Sequence, residues 1–234
     1  EKQVMDMLNN GTIDGFIVAV AEETQALKEH QHFKDIINSG TPIVMFDRVA
    51  ETVNCDKVIV DDFESSFEAT QHLLKLGSKN IALVSTIDNL SVGKLRVGGF
   101  KKAMEASNLS LNNQLIVIEN DIELFDNKLI ELFNTKKVDA VFALDEHAST
   151  MAMKFALKKG IKIPEELNII GFADGVWSRR LTPSLSTVSQ HAPEIGAKAA
   201  ELLIHKLNSK DEFYQPQTVV IKTELRQRES PRKM

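Results

Sequence analysis

Cysteine is almost absent from this chain of 234 residues, where Cys55 stands alone. A single thiol excludes an internal disulfide and any thiolate-rich metal site, and it makes the reducing cytoplasm the natural compartment. Long apolar runs are lacking too. None approaches the ~18 residues that a membrane-spanning helix needs, so no membrane partner is expected. The opening Glu1-Lys2-Gln3-Val4-Met5 has no apolar signal region, which gives no indication of export. It reads instead as the middle of a helix, and the natural chain is expected to begin further upstream. A surplus of positive charge is also missing. The formal net charge is -5, and basic residues are scattered apart from the tail at 226–233. A chain that neutralises DNA phosphates by itself shows a basic face, so direct nucleic-acid binding is not expected of these residues.

What is present is the composition of a globular protein, 43% hydrophobic and 26% charged, with enough residues for one large domain or two lobes. No repeat at solenoid spacing occurs, and no low-complexity segment. The recurring unit is a short apolar run followed by an amphipathic stretch. The runs lie at 16–20, 43–46, 58–60, 81–84, 115–118, 140–144 and 167–172. They are rich in β-branched residues and nearly continuous, as strands buried on both faces of a parallel sheet are. Helical spacing predicts helices over about 62–76, 90–107, 145–159 and 192–207, with Gly77 and Gly160 closing two of them. Strand–helix alternation implies an α/β fold with right-handed crossovers.

In such sheets ligands bind beyond the carboxyl ends of the strands, and nearly every run here delivers a carboxylate to that edge. Asp47-Arg48 follows the second run, Asp61-Asp62 the third, Glu119-Asn120-Asp121 the fifth, Asp145-Glu146-His147 the sixth and Ala173-Asp174 the seventh. Each acid alone fits a helix N-cap. The set, with its acid pairs, also fits a polar cleft. Arg96 is more specific. It shares a helical stripe with Val92, Phe100, Ala103 and Met104, and a charge on a core-facing stripe needs a partner. Two readings stand: a fork of donors for a ligand carboxylate or hydroxyls, or a structural ion pair with a neighbouring aspartate. Phe172 and Trp177 fit either a cleft wall or a core or loop role.

Signals for chemistry fail. Gly93-Lys94 lacks the upstream glycine and following Ser or Thr of a phosphate loop. No G-x-G-x-x-G follows a strand, and no G-x-S-x-G elbow occurs. His30 and His32 are two apart and do not share a helix face, and His72, His147, His191 and His205 lack metal-ligand spacing. Cys55 reads as a loop residue with no visible base partner. No metal, no cofactor and no enzyme activity are expected.

An ordered set of segments resembles the effector-binding core of the lactose-repressor (LacI/GalR) family. These are Gly40-Thr41-Pro42-Ile43-Val44-Met45-Phe46-Asp47-Arg48; Val60-Asp61-Asp62 leading to Ala69-Thr70-Gln71-His72-Leu73-Leu74-Lys75-Leu76-Gly77; Arg96-Val97-Gly98-Gly99-Phe100; Asp139-Ala140-Val141-Phe142-Ala143-Leu144-Asp145; Ile169-Ile170-Gly171-Phe172-Ala173-Asp174; and Pro183-Ser184-Leu185-Ser186-Thr187-Val188 with the closing Arg228-Glu229-Ser230. The resemblance implies a type I periplasmic-binding-protein-like fold: two Rossmann-like lobes with parallel sheets, joined by three crossovers. The lobes would be 1–60 plus 191–216 and 61–190 plus 217–234. The N-terminal lobe would lack its first strand and helix, and a helix-turn-helix headpiece would precede it.

The same resemblance implies a small polar effector, a sugar, sugar derivative or nucleobase, held between the lobes. It implies a homodimer that binds operator DNA through the absent headpiece and not through this fragment. The family's conserved arginine falls on Arg96, its strand-end aspartate on Asp47, and the aspartate opening the third helix on Asp145. Three positions depart from the pattern: Ala173, beside Asp174, replaces a sugar-binding aspartate, Leu144 an amide, and Ile122 a stacking aromatic. These departures argue against a simple pyranose. A periplasmic sugar-binding transport receptor of the same fold is the alternative. Asp47-Arg48 and Arg228-Glu229-Ser230 favour the regulator, and the sequence upstream of Glu1 separates the two.

Overall fold

The computed structural model describes residues 1–87, 89–107, 109, 112–172, 175–209 and 214–233. The chain divides into two compact units, 1–60 with 191–222 and 61–190 with 223–234. Each is built around a mostly parallel sheet.

In the first unit the strands β1 (Phe16–Val18), β2 (Ile43–Phe46), β3 (Asp56–Val60) and β9 (Thr218–Ile221) lie side by side in that order, all parallel. Alternation along the strands divides the core between the two faces. Ile43 and Met45 pack with Phe33, Ile36 and Met5 from helices α3 (Gln31–Asn38) and α1 (Lys2–Leu8). Val44, Val58 and Val60 pack with Ile195, Ala199 and Leu202 of helix α9 (Ala192–Asn208). Cys55 precedes β3 in a loop and is buried in the first of these clusters, and burial pushes its thiol up to about 11. It is a protonated core residue at neutral pH. One expected boundary moves. Residues 217–222 belong with the first unit, because β9 pairs with β3 from Lys57–Thr218 to Val60–Ile221. The buried Asp56 carboxylate fixes that register by accepting the Gln217 N–H and the Tyr214 hydroxyl, both at 2.9 Å.

Among the described residues the second unit holds six strands: β4 (Ile81–Ser85), β5 (Ile116–Ile118), β6 (Ala140–Ala143), β7 (Asn168–Gly171), β8 (Ser186–Ser189) and β10 (Glu224–Arg226). Their order is β10-β8-β7-β6-β4-β5, and only β10 is antiparallel. Strand residues alternate between two cores. Ala82, Val84, Val141 and Ala143 face Phe125, Leu129 and Ala152 of α6 (Ile122–Thr135) and α7 (Glu146–Lys158). Ile81, Leu83, Ala140 and Phe142 face Ala69, Leu73, Phe100 and Met104 of α4 (Asp62–Lys75) and α5 (Ser91–Ala106). Gly77 takes φ +88° just past α4, and its N–H returns to the Leu74 carbonyl, the left-handed closure that glycine permits without a Cβ clash.

The helices α4 and α5 pack backbone to backbone. A Cβ on Gly99 would fall on the Phe63 carbonyl oxygen and the Phe67 amide, and Ser66 Oγ donates to the Arg96 carbonyl across the same seam. Gly196 in α9 differs, since among the described residues nothing outside its own stretch of helix lies within 4 Å of its Cβ position. Gly99→Ala is therefore expected to cost about 1–3 kcal/mol through overpacking. Gly196→Ala is expected to gain about 0.5–1 kcal/mol of helix propensity. Urea unfolding of the two variants checks the opposite signs.

Candidate functional site

The order of the larger sheet marks a candidate position for a site. From β4 the chain crosses to β5 on one side, then returns to β6 on the other side and continues outward to β7 and β8. The reversal falls between β4 and β6, and in open α/β sheets the crevice beyond the carboxyl ends at such a reversal is where ligands bind.

One carboxylate staples that point. Asp145 follows β6 and caps α7, its Oδ1 accepting the Ala148 N–H at 2.8 Å. Its Oδ2 accepts the Thr86 N–H beyond β4 at 2.7 Å. The N-cap role expected of an aspartate here is present, and the second oxygen ties the two strand ends together. Each bond satisfies a backbone donor, the first of them at a helix start.

Arg96 reaches the same place from the second turn of α5. It is 4% exposed, with Val92, Phe100, Ala103 and Met104 buried on its stripe. Its Nε donates to Asp62 Oδ1 at 2.7 Å, its Nη1 donates to the Leu144 carbonyl at 2.7 Å, and its Cζ stands 3.8 Å from the centroid of the Phe172 ring. Asp62 opens α4 and is 3% exposed. The ion pair named as an alternative for Arg96 therefore exists. It does not exhaust the guanidinium, which has five N–H donors. Two are used, and the others have no partner among the described residues.

The remaining expected site residues are spread over both units. Asp47 follows β2 in the first unit with a left-handed backbone, φ +55°, and its N–H donates to the Val58 carbonyl at 3.0 Å. Next to it, Arg48 has a buried Nε without a hydrogen-bond partner among the described residues. Ile122 is the first residue of α6 and is 54% exposed. Leu144 enters differently from the expectation. Its side chain is fully buried against Phe142 and Phe172, and only its carbonyl reaches Arg96. The position lies on the core side of the sheet's alternation, which points the side chain inward. Ala173 and Asp174 lie outside the described residues. Trp177 is 65% exposed on the short helix α8 (Val176–Arg180), whereas Phe172 is core.

Two participants escaped sequence reasoning. Asp62 stood in an acid pair with nothing to single it out, and Phe172 was left between core and cleft. A buried arginine one helix away was the only signal for either. No group of three or more His, Cys, Asp or Glu residues that could hold a metal occurs among the described residues.

Asp145→Ala removes a helix cap and the tie to the Thr86 amide together. The expected cost is about 2–4 kcal/mol, from a cap worth ~1 and a hydrogen bond to a charged acceptor worth ~1.5–3. Chemical denaturation measures it, and a wild-type midpoint contradicts the staple.

Comparison with known proteins bears on the fold and the family. Residues 70–231 match the periplasmic binding protein-like domain family. The chain is 30% identical over 237 aligned positions to the HTH-type transcriptional repressor PurR of Actinobacillus pleuropneumoniae serotype 3, covering 98% of this chain and 68% of that protein. It is 29% identical to the HTH-type transcriptional regulator DegA of Bacillus subtilis, covering 85% of this chain and 58% of that one. A LacI family regulator from Enterococcus faecium, solved with bound ribose, superposes with a TM-score of 0.85 at 22% identity, over 96% of this chain and 82% of that one. The regulator CcpA of Lactococcus lactis superposes with a TM-score of 0.83 at 20% identity, over 99% of this chain and 83% of that one. The strand-end geometry and these relatives lead to one conclusion: the chain belongs to the LacI/GalR family of transcription regulators and is its periplasmic-binding-protein-like, ligand-sensing region.

Proposed function

We propose that this chain senses a small, polar, sugar-like or nucleobase-like effector at the carboxyl edge of the larger sheet, with Arg96 as the principal contact. The observation that carries the reading is a buried guanidinium at the strand-order reversal with donors left over. Its planar fork suits adjacent oxygens or ring acceptors on a ligand. Asp145 and the Leu144 carbonyl set the floor, and Ile122 and Asp174 flank it in sequence terms. Asp47 is assigned the corresponding strand end of the smaller unit.

Binding would control operator DNA through a helix-turn-helix headpiece carried by the full-length protein, acting as a cytoplasmic homodimer. The relatives support this, being transcription regulators and not enzymes or transport receptors by name. Among the described residues no helix is long and apolar enough to cross a membrane. A ligand acts on such a switch only through different affinities for two states, and a coupling of about 1–3 kcal/mol changes DNA affinity roughly 5- to 150-fold.

Calorimetry and thermal shift against sugars, sugar phosphates and nucleobases test the site. The expected result is a ligand whose affinity drops at least about tenfold in Arg96→Lys, which keeps the charge beside Asp62 but loses the fork. A ligand that binds the wild type and this variant equally well removes Arg96 from the pocket.

A further inference from the structure

The charges around Arg96 carry a consequence for what it can hold. Among the described residues the guanidinium faces Asp62 at 2.7 Å, both side chains being almost fully buried. Asp61 is the neighbour of Asp62, and its Oδ1 accepts the Thr223 N–H at 2.9 Å. Asp145, next in the chain to the Leu144 carbonyl that Arg96 touches, is also a buried carboxylate. The acid that the guanidinium touches is Asp62, so one buried acid meets one buried cation. Arg96 consequently offers N–H donors without an uncompensated positive charge behind them.

That combination separates ligands by charge. A neutral acceptor, such as a hydroxyl, a ring oxygen or a carbonyl, gains hydrogen bonds to the free donors at little desolvation cost. A carboxylate or phosphate gains the same bonds, but must leave water for a place whose cation is already neutralised, and burying an unpaired charge is expensive. We propose that Asp62 is a specificity-determining residue, a charge filter that restricts the group bound by Arg96 to neutral acceptors and excludes anions there. The inference rests on the reading of Arg96 as a ligand contact, and it names the ligand class of that same site.

The test uses formate and its neutral analogue formamide as probes, titrated at fixed ionic strength. The readout is the ¹⁵N-detected signal of the Arg96 Nε–H, assigned by its loss in Arg96→Lys. In the wild type, formate is expected to leave the signal unmoved. In Asp62→Asn, which keeps the shape and the acceptor but removes the charge, formate is expected to shift the signal saturably, with affinity at least about tenfold above wild type. The double variant Asp62→Asn/Arg96→Met is expected to lose that binding, followed by thermal shift. Saturable binding of formate at Arg96 in the wild type overturns the filter, and so does an Asp62→Asn variant that gains nothing. Asp62→Ser replaces the asparagine variant should that one fail to fold, and it is judged by the same gain. An effector that binds without moving the Arg96 signal counts against the sensing site itself and leaves the formate result to decide the filter separately.

Discussion

A guanidinium cannot stay buried at this depth unless its charge is met, and the second unit is arranged around meeting it. Asp62 supplies the counter-charge from the start of α4, the Leu144 carbonyl supplies an acceptor from the end of β6, and the Phe172 ring supplies a face from the end of β7. One side chain thus ties a helix start to two strand ends. The cost of dehydrating the pair is large, and the seam that makes it possible is the close approach of α4 and α5 at Gly99. Had either helix stood further off, Asp62 and Arg96 would not reach each other.

The scaffold decides where this cluster sits. Two-residue alternation along β4 and β6 sends one set of side chains to α4 and α5 and the other to α6 and α7. Arg96, Phe172 and Leu144 all lie on the α4–α5 side, while Asp145 bridges the strand ends themselves. The strand order then places the cluster at the reversal, the position at which open α/β sheets in general bind ligands. On the proposed reading the unspent donors of Arg96 at that location serve a ligand, whereas the same ion pair in mid-helix would be structure alone.

Much of the fold was legible because it rests on local pattern. Apolar runs at 81–84 and 140–144 became β4 and β6, and the stripe of Val92, Phe100, Ala103 and Met104 marked α5 and the inward side of Arg96. What was not legible depends on distant pairing. β9 joins β3 across some 160 residues, so nothing local placed 217–222 in the first unit. The partner of Arg96 comes from a separate helix, and two adjacent aspartates cannot be ranked until the crossing of α4 and α5 is known. Leu144 was read for its side chain when its carbonyl is the contact, a distinction that only the direction of the strand alternation makes.

A double-mutant cycle on stability tests most directly whether the Arg96–Asp62 interaction organises the unit. Arg96→Met and Asp62→Leu each leave one buried charge, and each is expected to cost about 3–5 kcal/mol. The double variant replaces both charges with apolar groups of similar volume and is expected to cost far less than the sum of the two, with a coupling of at least about 2 kcal/mol. Single losses that simply add would show that the two side chains stand side by side without depending on each other, and would contradict the account.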